Sequence, residues 1–493
     1  MSERVKVARS AAVEAIGKGA PMRAGLFVNG QMQAAEAGES FERLDPSTDL
    51  VASIAAAGRA ADADHLAFVA ATNFAAWSAL SGQARAAVLR RAAELMEAYA
   101  PRFEASMAAE IGATPQWVAF NLQVAKETLL ATAELAESDI MATPPEAASV
   151  AVRVPAGVCL AIAPWNAPVA LGVRAIAYPL AFGNTVIFKA SELCPVSHVL
   201  LGELFTEAGV PPGVLGILTN APEHAEEIVE TLIANPAVRR VNFTGSTRVG
   251  RIIAGIAAQH LKRCLLELGG KSPFIVLADA DLDQAIEAAL FGAYLNSGQI
   301  CMATDRIIVD QSIADEFVDR FAARARALTA GDPRQSGSMI GPLATGSIAV
   351  RLSALIEDAV SKGAVLRAGG PARGQFMDAT ILDHVSPMMR IYSEECFGPM
   401  VGIYRTSSIA EAVTVANDCE YGLASAVFGR DLTMARAVAD QLETGICHIN
   451  GATVADDPFM PFGGVKSSGY GSFGGVSCSD EFSELRWITT KST

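Results

Sequence analysis

The chain has 493 residues, 51% hydrophobic and 18% charged. At ~150 residues per domain this predicts about three domains, or two large ones, with a substantial core, and it excludes a disordered chain. Lys+Arg 38 against Asp+Glu 53 leave a net charge of −15, which excludes a surface built to grip nucleic acid or anionic lipid.

Residues 1–25 are Ala-rich and polar. Glu3, Arg4, Lys6, Arg9, Glu14 and Lys18 leave no room for the apolar region of a signal peptide. The acids also count against a transit segment, so the expected compartment is the cytoplasm. Leu26-Phe27-Val28-Asn29-Gly30 predicts a short strand and turn. From 57 to 135 the pattern is helical, with Val88, Leu89, Ala92, Met96 and Tyr99 on one face. Residues 154–173 carry no charge and are long enough to suggest a spanning helix. Pro155, Pro164 and Pro168 argue instead for a buried strand followed by a turn.

Between 150 and 250 short β runs (150–154, 158–163, 185–188, 216–218 and 240–244) alternate with helical stretches at 196–208 and 225–234. That alternation predicts βαβ units and a parallel sheet. A second alternating block begins at Ser272, continues through a long apolar helix (282–295) and a strand (306–309), and runs to about 470. The segment 485–489 is strand-like with nothing after it to pair with, an edge usually covered by something, often another subunit.

Gly469-Tyr470-Gly471-Ser472-Phe473-Gly474 matches G-x-G-x-x-G, but no helix follows it, so a turn is the better reading. The stretch 241–250 is different. It predicts a strand, a Gly245-Ser246-Thr247 turn and a helix over 251–258, with Gly250 completing a G-x-x-x-x-G spacing. Such a turn offers backbone N–H groups to a phosphate; taken alone, the spacing is better accounted for by a plain helix cap.

The eight cysteines include no C-x-x-C pair, and the six histidines are scattered. Structural zinc and a disulfide framework are therefore not expected, and no metal is assigned. Cys301 stands apart, in the Gly-containing turn Asn296-Ser297-Gly298-Gln299-Ile300-Cys301. A thiol with pKa ~8.5 needs a base or a positive neighbour to act as a nucleophile. Glu267, at the end of an apolar strand, is a candidate base, since burial raises a carboxyl pKa. A capping or salt-bridged role remains its alternative.

Together these motifs resemble the NAD(P)-dependent aldehyde dehydrogenases. The resemblance runs from about 26 to 490 and rests on Pro164-Trp165-Asn166-Ala167-Pro168, Lys189-Ala190-Ser191-Glu192, Phe243-Thr244-Gly245-Ser246 and Glu267-Leu268-Gly269-Gly270-Lys271. Gly298-Gln299-Ile300-Cys301, Glu394-Glu395-Cys396-Phe397-Gly398-Pro399 and Pro461-Phe462-Gly463-Gly464 complete it. It implies Cys301 as nucleophile, Glu267 as general base and Asn166 as an oxyanion donor. Lys189 and Glu192 resemble adenosine-ribose ligands, which implies NAD in preference to NADP. Glu395 and Phe397 resemble the nicotinamide-ribose acceptor and a nicotinamide packing surface, with Ile162 and Trp165 in the same cleft. Thr219-Asn220-Ala221-Pro222 departs from the Gly-rich turn of many members and leaves the adenine contact undefined. Glu267 also distinguishes the chain from the CoA-acylating branch.

The run 164–175 with 299–302 is similar to the salicylaldehyde, vanillin and benzaldehyde dehydrogenases. It implies an aromatic aldehyde as substrate. Ala167 widens the tunnel, and Leu171 and Arg174 share its helix face. Ile300 and Met302 flank the thiol, while Trp117, Phe459 and Phe462 supply aromatic walls. Arg174 either attracts a phenolate or carboxylate or forms a salt bridge within or between subunits. Two other readings stay open: a semialdehyde dehydrogenase, such as one for succinic semialdehyde, and a non-catalytic NAD-binding structural relative. The implied fold is α/β. A Rossmann-like cofactor domain comprises 1–137 and 155–266, a catalytic domain spans 267–479, and a small β oligomerisation element combines 138–154 with 480–493. A homodimer or homotetramer is expected.

Overall fold

The computed structural model describes residues 20–138, 149–335 and 338–491. The charged N-terminal stretch over 3–18, and the parts of the expected domains at 1–19, 139–148, 336–337 and 492–493, lie outside the described residues.

Two sheets organise the chain. The first runs, edge to edge, Gly469–Tyr470, Arg263–Glu267, Val238–Thr244, Val158–Ile162, Thr185–Lys189, Leu215–Leu218, Leu26–Val28 and Gln31–Gln33. The five strands from Arg263–Glu267 to Leu215–Leu218 pair in parallel. The second runs Val365–Ala368, Thr380–Asp383, Met400–Thr406, Thr304–Asp310, Ser272–Val276, Ala424–Phe428 and Ile446–Ile449. It is parallel except at its first pair.

Side-chain alternation divides each sheet between two cores. Ala161, Val186, Phe188 and Ile217 enter one apolar cluster with the helices Gly82–Ile111, Pro115–Glu137 and Pro168–Ala181. Leu160, Ile162, Ile187 and Leu218 enter another on the opposite face, with Leu66 and Ile228. In the second sheet Phe274, Ile307 and Ile403 separate from Ile275, Ile308 and Tyr404 in the same way. Every residue of Val158–Ile162 and Thr185–Lys189 is buried. A parallel strand covered on both faces reads as an uninterrupted apolar run, which is why 154–173 mimics a membrane segment. It is a strand, an irregular turn and the start of the helix Pro168–Ala181, whose first residue is a proline. No helix among the described residues is long and apolar enough to cross a membrane.

Two predicted helices have different ends. The one expected over 251–258 begins at Thr247, because Ser246 caps it by accepting from Val249 N–H. The one expected over 282–295 ends at Tyr294, since Asn296 and Ser297 turn left-handed. Gly469–Tyr470 forms a short antiparallel edge on Arg263–Glu267, and Gly469, Gly471 and Gly474 all have positive φ. The glycine match is therefore a turn. The strand Ser483–Thr489 pairs antiparallel with Ser149–Pro155 in a separate two-stranded sheet. Leu485 and Trp487 stand exposed on it.

Candidate active site

The carboxyl ends of the parallel strands form one rim. Register places Lys189 between Ile162 and Leu218, Phe243 beside Ile162, and Glu267 beside Thr244. In open α/β sheets this rim is where ligands are held. The turn after Val158–Ile162 carries Trp165 and Asn166 onto it, and the turn after Val238–Thr244 carries Gly245 and Ser246.

Cys301 reaches the rim from the second sheet. Three consecutive residues before it, Asn296, Ser297 and Gly298, have φ of 48°, 57° and 66°. Left-handed non-glycine residues cost about 1–3 kcal/mol each, so other contacts must over-determine the loop. Ser297 Oγ donates to Gly341 O at 2.9 Å, and Gln299 Oε1 accepts from Ala344 N at the same distance. A Cβ on Gly298 would lie 2.1 Å from Gly398 O, so only glycine fits there. Asn166 closes the loop from the other side, its Nδ2 donating to Gln299 O at 3.0 Å. A side-chain amide has two N–H groups, which leaves one for a ligand.

Trp165, Asn166, Leu171, Glu267, Cys301 and Glu395 converge on one cleft of about 240 Å³. Glu267 is buried, and neither carboxylate oxygen has a hydrogen-bond partner. Burial pushes its pKa up to about 7, against the opposing pull of Arg174 and the facing Cys301 thiol. Burial also raises the Cys301 thiol well above its usual range, and the neighbouring Glu267 charge adds to the effect. At rest the pair is a neutral thiol beside a carboxyl that titrates near neutrality.

Glu395 accepts from Gly270 N at 2.9 Å, and burial lifts it to about 7 as well. Cys396 N donates to Asp305 at 2.8 Å, and Asp305 pairs with the buried Lys271 at 2.6 Å. This clamp fixes the turn in which Phe397, at φ 46°, meets Trp165 edge to face at 5.8 Å. A Cβ on Gly269 would sit 2.7 Å from Glu395 Oε2, so a side chain there would displace that carboxylate.

Other predicted residues occupy less direct positions. Lys189 forms an ion pair with Glu192 farther along the rim. Ile162 faces the core, and Gly250 is a packing position where a Cβ would lie 2.4 Å from Leu268. Ala167, Ile300 and Met302 are buried and do not line the cleft. Trp117 is not an open aromatic wall. It is fully buried, stacked on Phe120 at 5.1 Å, and its Nε1 donates to Asn166 O at 2.7 Å. Phe459 is half exposed and does not line the cleft. Arg174 forms a buried ion pair with Asp456, and its guanidinium lies 4.2 Å over the Phe462 ring. Ile348 and Thr244 line the cleft without having been singled out in the sequence. Thr244 lay inside a recognised motif, whereas Ile348 had no signal beyond helical periodicity.

The model of the aldehyde dehydrogenase family matches residues 32–488. The chain is 49% identical over 468 residues to a vanillin dehydrogenase of Pseudomonas fluorescens, spanning 94% of this chain and 97% of that one. It is 46% identical over 473 residues to a salicylaldehyde dehydrogenase of Pseudomonas putida, spanning 95% and 98%. The crystal structure of a salicylaldehyde dehydrogenase from Pseudomonas putida G7, complexed with salicylaldehyde, matches with a TM-score of 0.93 at 45% identity, over 96% and 98% of the two chains. The chain belongs to the aldehyde dehydrogenase family. It is an oxidoreductase acting on aldehydes, with the fold of a family that uses NAD or NADP.

Proposed function

We propose that this enzyme oxidises an aromatic aldehyde of the vanillin or salicylaldehyde kind to its carboxylic acid, with NAD preferred over NADP. The observation that carries the reading is the convergence of Cys301, Glu267 and Asn166 on one small, largely apolar cleft beside Leu171. Sequence likeness to vanillin and salicylaldehyde dehydrogenases over nearly the whole chain supports the substrate class.

In this reading Glu267 takes the Cys301 proton, and the Sγ–C bond forms as the carbonyl electron pair moves onto oxygen. The free Asn166 N–H and the Cys301 backbone N–H stabilise that oxygen, a donor pair that does not titrate. Collapse of the oxyanion expels the aldehyde hydrogen as hydride and leaves a thioester on Cys301. When bound, NAD supplies the hydride acceptor. Glu267, having returned its proton to solvent, then deprotonates the water that adds to the thioester. The C–S bond breaks, the acid departs and the thiolate is regenerated.

The residues present fit a dinucleotide. Gly245 and Ser246 open the helix Thr247–Gln259 into the cleft, offering N–H groups and a dipole to a pyrophosphate. In this reading Glu395 accepts from the nicotinamide ribose, Phe397 and Trp165 pack the nicotinamide, and Lys189 and Glu192 hold the adenosine ribose. On the same reading the cofactor domain comprises the described parts of 1–137 and 155–266, with Glu267 and Gly469–Tyr470 completing its sheet, and the catalytic domain comprises the rest of the described part of 267–479. The sheet joining Ser149–Pro155 to Ser483–Thr489 is the core of an oligomerisation element in a cytoplasmic homodimer or homotetramer.

Comparing kcat/KM for substituted benzaldehydes with that for linear aldehydes tests the substrate class, and a preference for the linear set sinks it. The semialdehyde alternative needed Arg174 to hold a substrate carboxylate. Its pairing with Asp456 speaks against that role.

A further inference from the structure

We propose that Asn220 is a positioning residue for the cofactor. By fixing the Glu192 carboxylate, it sets the discrimination between an unphosphorylated adenosine ribose and a ribose 2′-phosphate. The inference rests on reading Lys189 and Glu192 as ribose ligands.

Asn220 stands two residues beyond the strand Leu215–Leu218, whose last residue pairs with Lys189. Its backbone is held firmly from the preceding residue: Thr219 Oγ1 donates to Ala56 O at 2.8 Å, and Thr219 O accepts from Gly58 N at 2.9 Å. The side chain is buried, and its Nδ2 donates both to Glu192 Oε1 at 2.9 Å and to Ala221 O at 2.8 Å. The reverse amide orientation would set Oδ1 against a carboxylate and a carbonyl, two acceptors facing a third. The observed orientation leaves Oδ1 buried without a partner. An unsatisfied buried acceptor is destabilising, so the amide gives up one of its own hydrogen bonds in order to direct an N–H at Glu192.

Lys189 Nζ contacts the same Oε1. Two donors therefore saturate one carboxylate oxygen and leave Oε2, on a side chain that is 21% exposed, to accept from ribose hydroxyls. The start of the loop is pinned too, where Ser191 N donates to His198 Nδ1 at 3.0 Å. Burial lowers the His198 pKa to about 3, so this acceptor stays neutral across the working range. Without Asn220, the Lys189 ammonium is the remaining side-chain donor to Glu192 among the described residues. The carboxylate then samples orientations that no longer meet the ribose, and the Lys189 ammonium is released to face a 2′-phosphate.

The test is calorimetric titration of NAD and of NADP into the full-length, cofactor-free protein. The variants are Asn220→Ala and Asn220→Leu, each alone and combined with Glu192→Ala. Two apolar replacements of different volume separate a lost hydrogen bond from a cavity. The expected result is a Kd for NAD raised about threefold to tenfold, the scale of one ordinary net hydrogen bond, with the Kd for NADP unchanged or lower. In the Glu192→Ala background the Asn220 substitutions are expected to shift neither Kd. Equal weakening of both cofactors, or the same shift with and without Glu192, overturns the proposal. If Glu192→Ala itself leaves the NAD to NADP ratio unchanged, the ribose reading of Glu192 fails, and the role of Asn220 fails with it. If Glu192→Ala changes the ratio and the Asn220 variants do not, only the role of Asn220 fails.

Discussion

The Arg174 guanidinium pairs with the Asp456 carboxylate inside the chain, with only 4% and 5% of the two side chains exposed. Removing one partner of a buried pair strands the other charge, at about 3–5 kcal/mol. Asp456→Ala will therefore lower the urea midpoint strongly. Arg174→Met with Asp456→Leu will recover most of the loss. A single variant that unfolds at the wild-type midpoint contradicts this account.

Glu267 gives the enzyme a pH signature. Its carboxylate form is the base, and burial raises its pKa to about 7 in the free enzyme, so kcat/KM will rise with pH through an acid limb near that value. Glu267→Gln will lower kcat by about 10²–10⁴ and abolish the limb. Stability moves in the opposite direction. Unfolded Glu loses its proton near ~4.3, whereas the native group holds it until about 7. Across that window the native state binds more protons, so its contribution to stability falls as pH rises. Thermal melts at pH 5 and pH 8 will show Glu267→Gln gaining relative to wild type at the higher pH.

The resting thiol is protonated by the same arrangement. Burial and then the Glu267 charge push Cys301 well above its ordinary range, and the thiolate is the reactive form. Alkylation of Cys301 by iodoacetamide in the cofactor-free enzyme will be slow at pH 7.5 and will accelerate with pH. Peptide mass mapping of Cys301 reads the rate directly, and a rate that does not change with pH counts against the raised thiol.

The Trp117 indole N–H donates to the Asn166 carbonyl. Trp117→Phe keeps the contact with Phe120 but loses the 2.7 Å bond to Asn166 O. About 0.5–1.5 kcal/mol of stability should go with it. Because Asn166 is displaced and the cleft wall is not, kcat will fall while the KM for aldehyde changes little. A raised KM with an unchanged kcat would instead make Trp117 a substrate wall.

The charge-free stretch 154–173 was legible because its prolines excluded a long helix, and the burial of Glu267 because two apolar leucines precede it on a strand end. Asp456 was not. It sits in an Asp-Asp pair that reads as surface, and only Arg174, from a helix far away in sequence, explains its burial. Ile348 lies on the helix Gly346–Ser361, where a cleft-lining isoleucine and a core isoleucine have the same periodicity. Trp117, expected as an aromatic wall, lies buried behind Asn166 and off the cleft, since sequence shows an aromatic ring and not the direction of its N–H. Phe459 was misplaced for a related reason: nothing local distinguishes an exposed phenylalanine from a buried one.

The exposed strand Ser483–Thr489 makes the proposed assembly testable. Leu485 is 64% and Trp487 76% exposed, an apolar edge that a subunit contact would cover. Trp487→Asp will shift the protein toward monomer in light scattering coupled to size exclusion. Wild-type protein that is already monomeric at micromolar concentration removes the oligomerisation role.

The three left-handed residues ahead of Cys301 have a practical consequence for redesign. A backbone held at positive φ by Asn296, Ser297 and Gly298 accepts few replacements, and β-branched side chains least of all. Randomising that loop to change substrate scope will yield libraries dominated by misfolded members. Leu171 and Ile348 border the same cleft from ordinary helices. A small combinatorial library at those two positions will explore aldehyde size while leaving the nucleophile's scaffold unaltered.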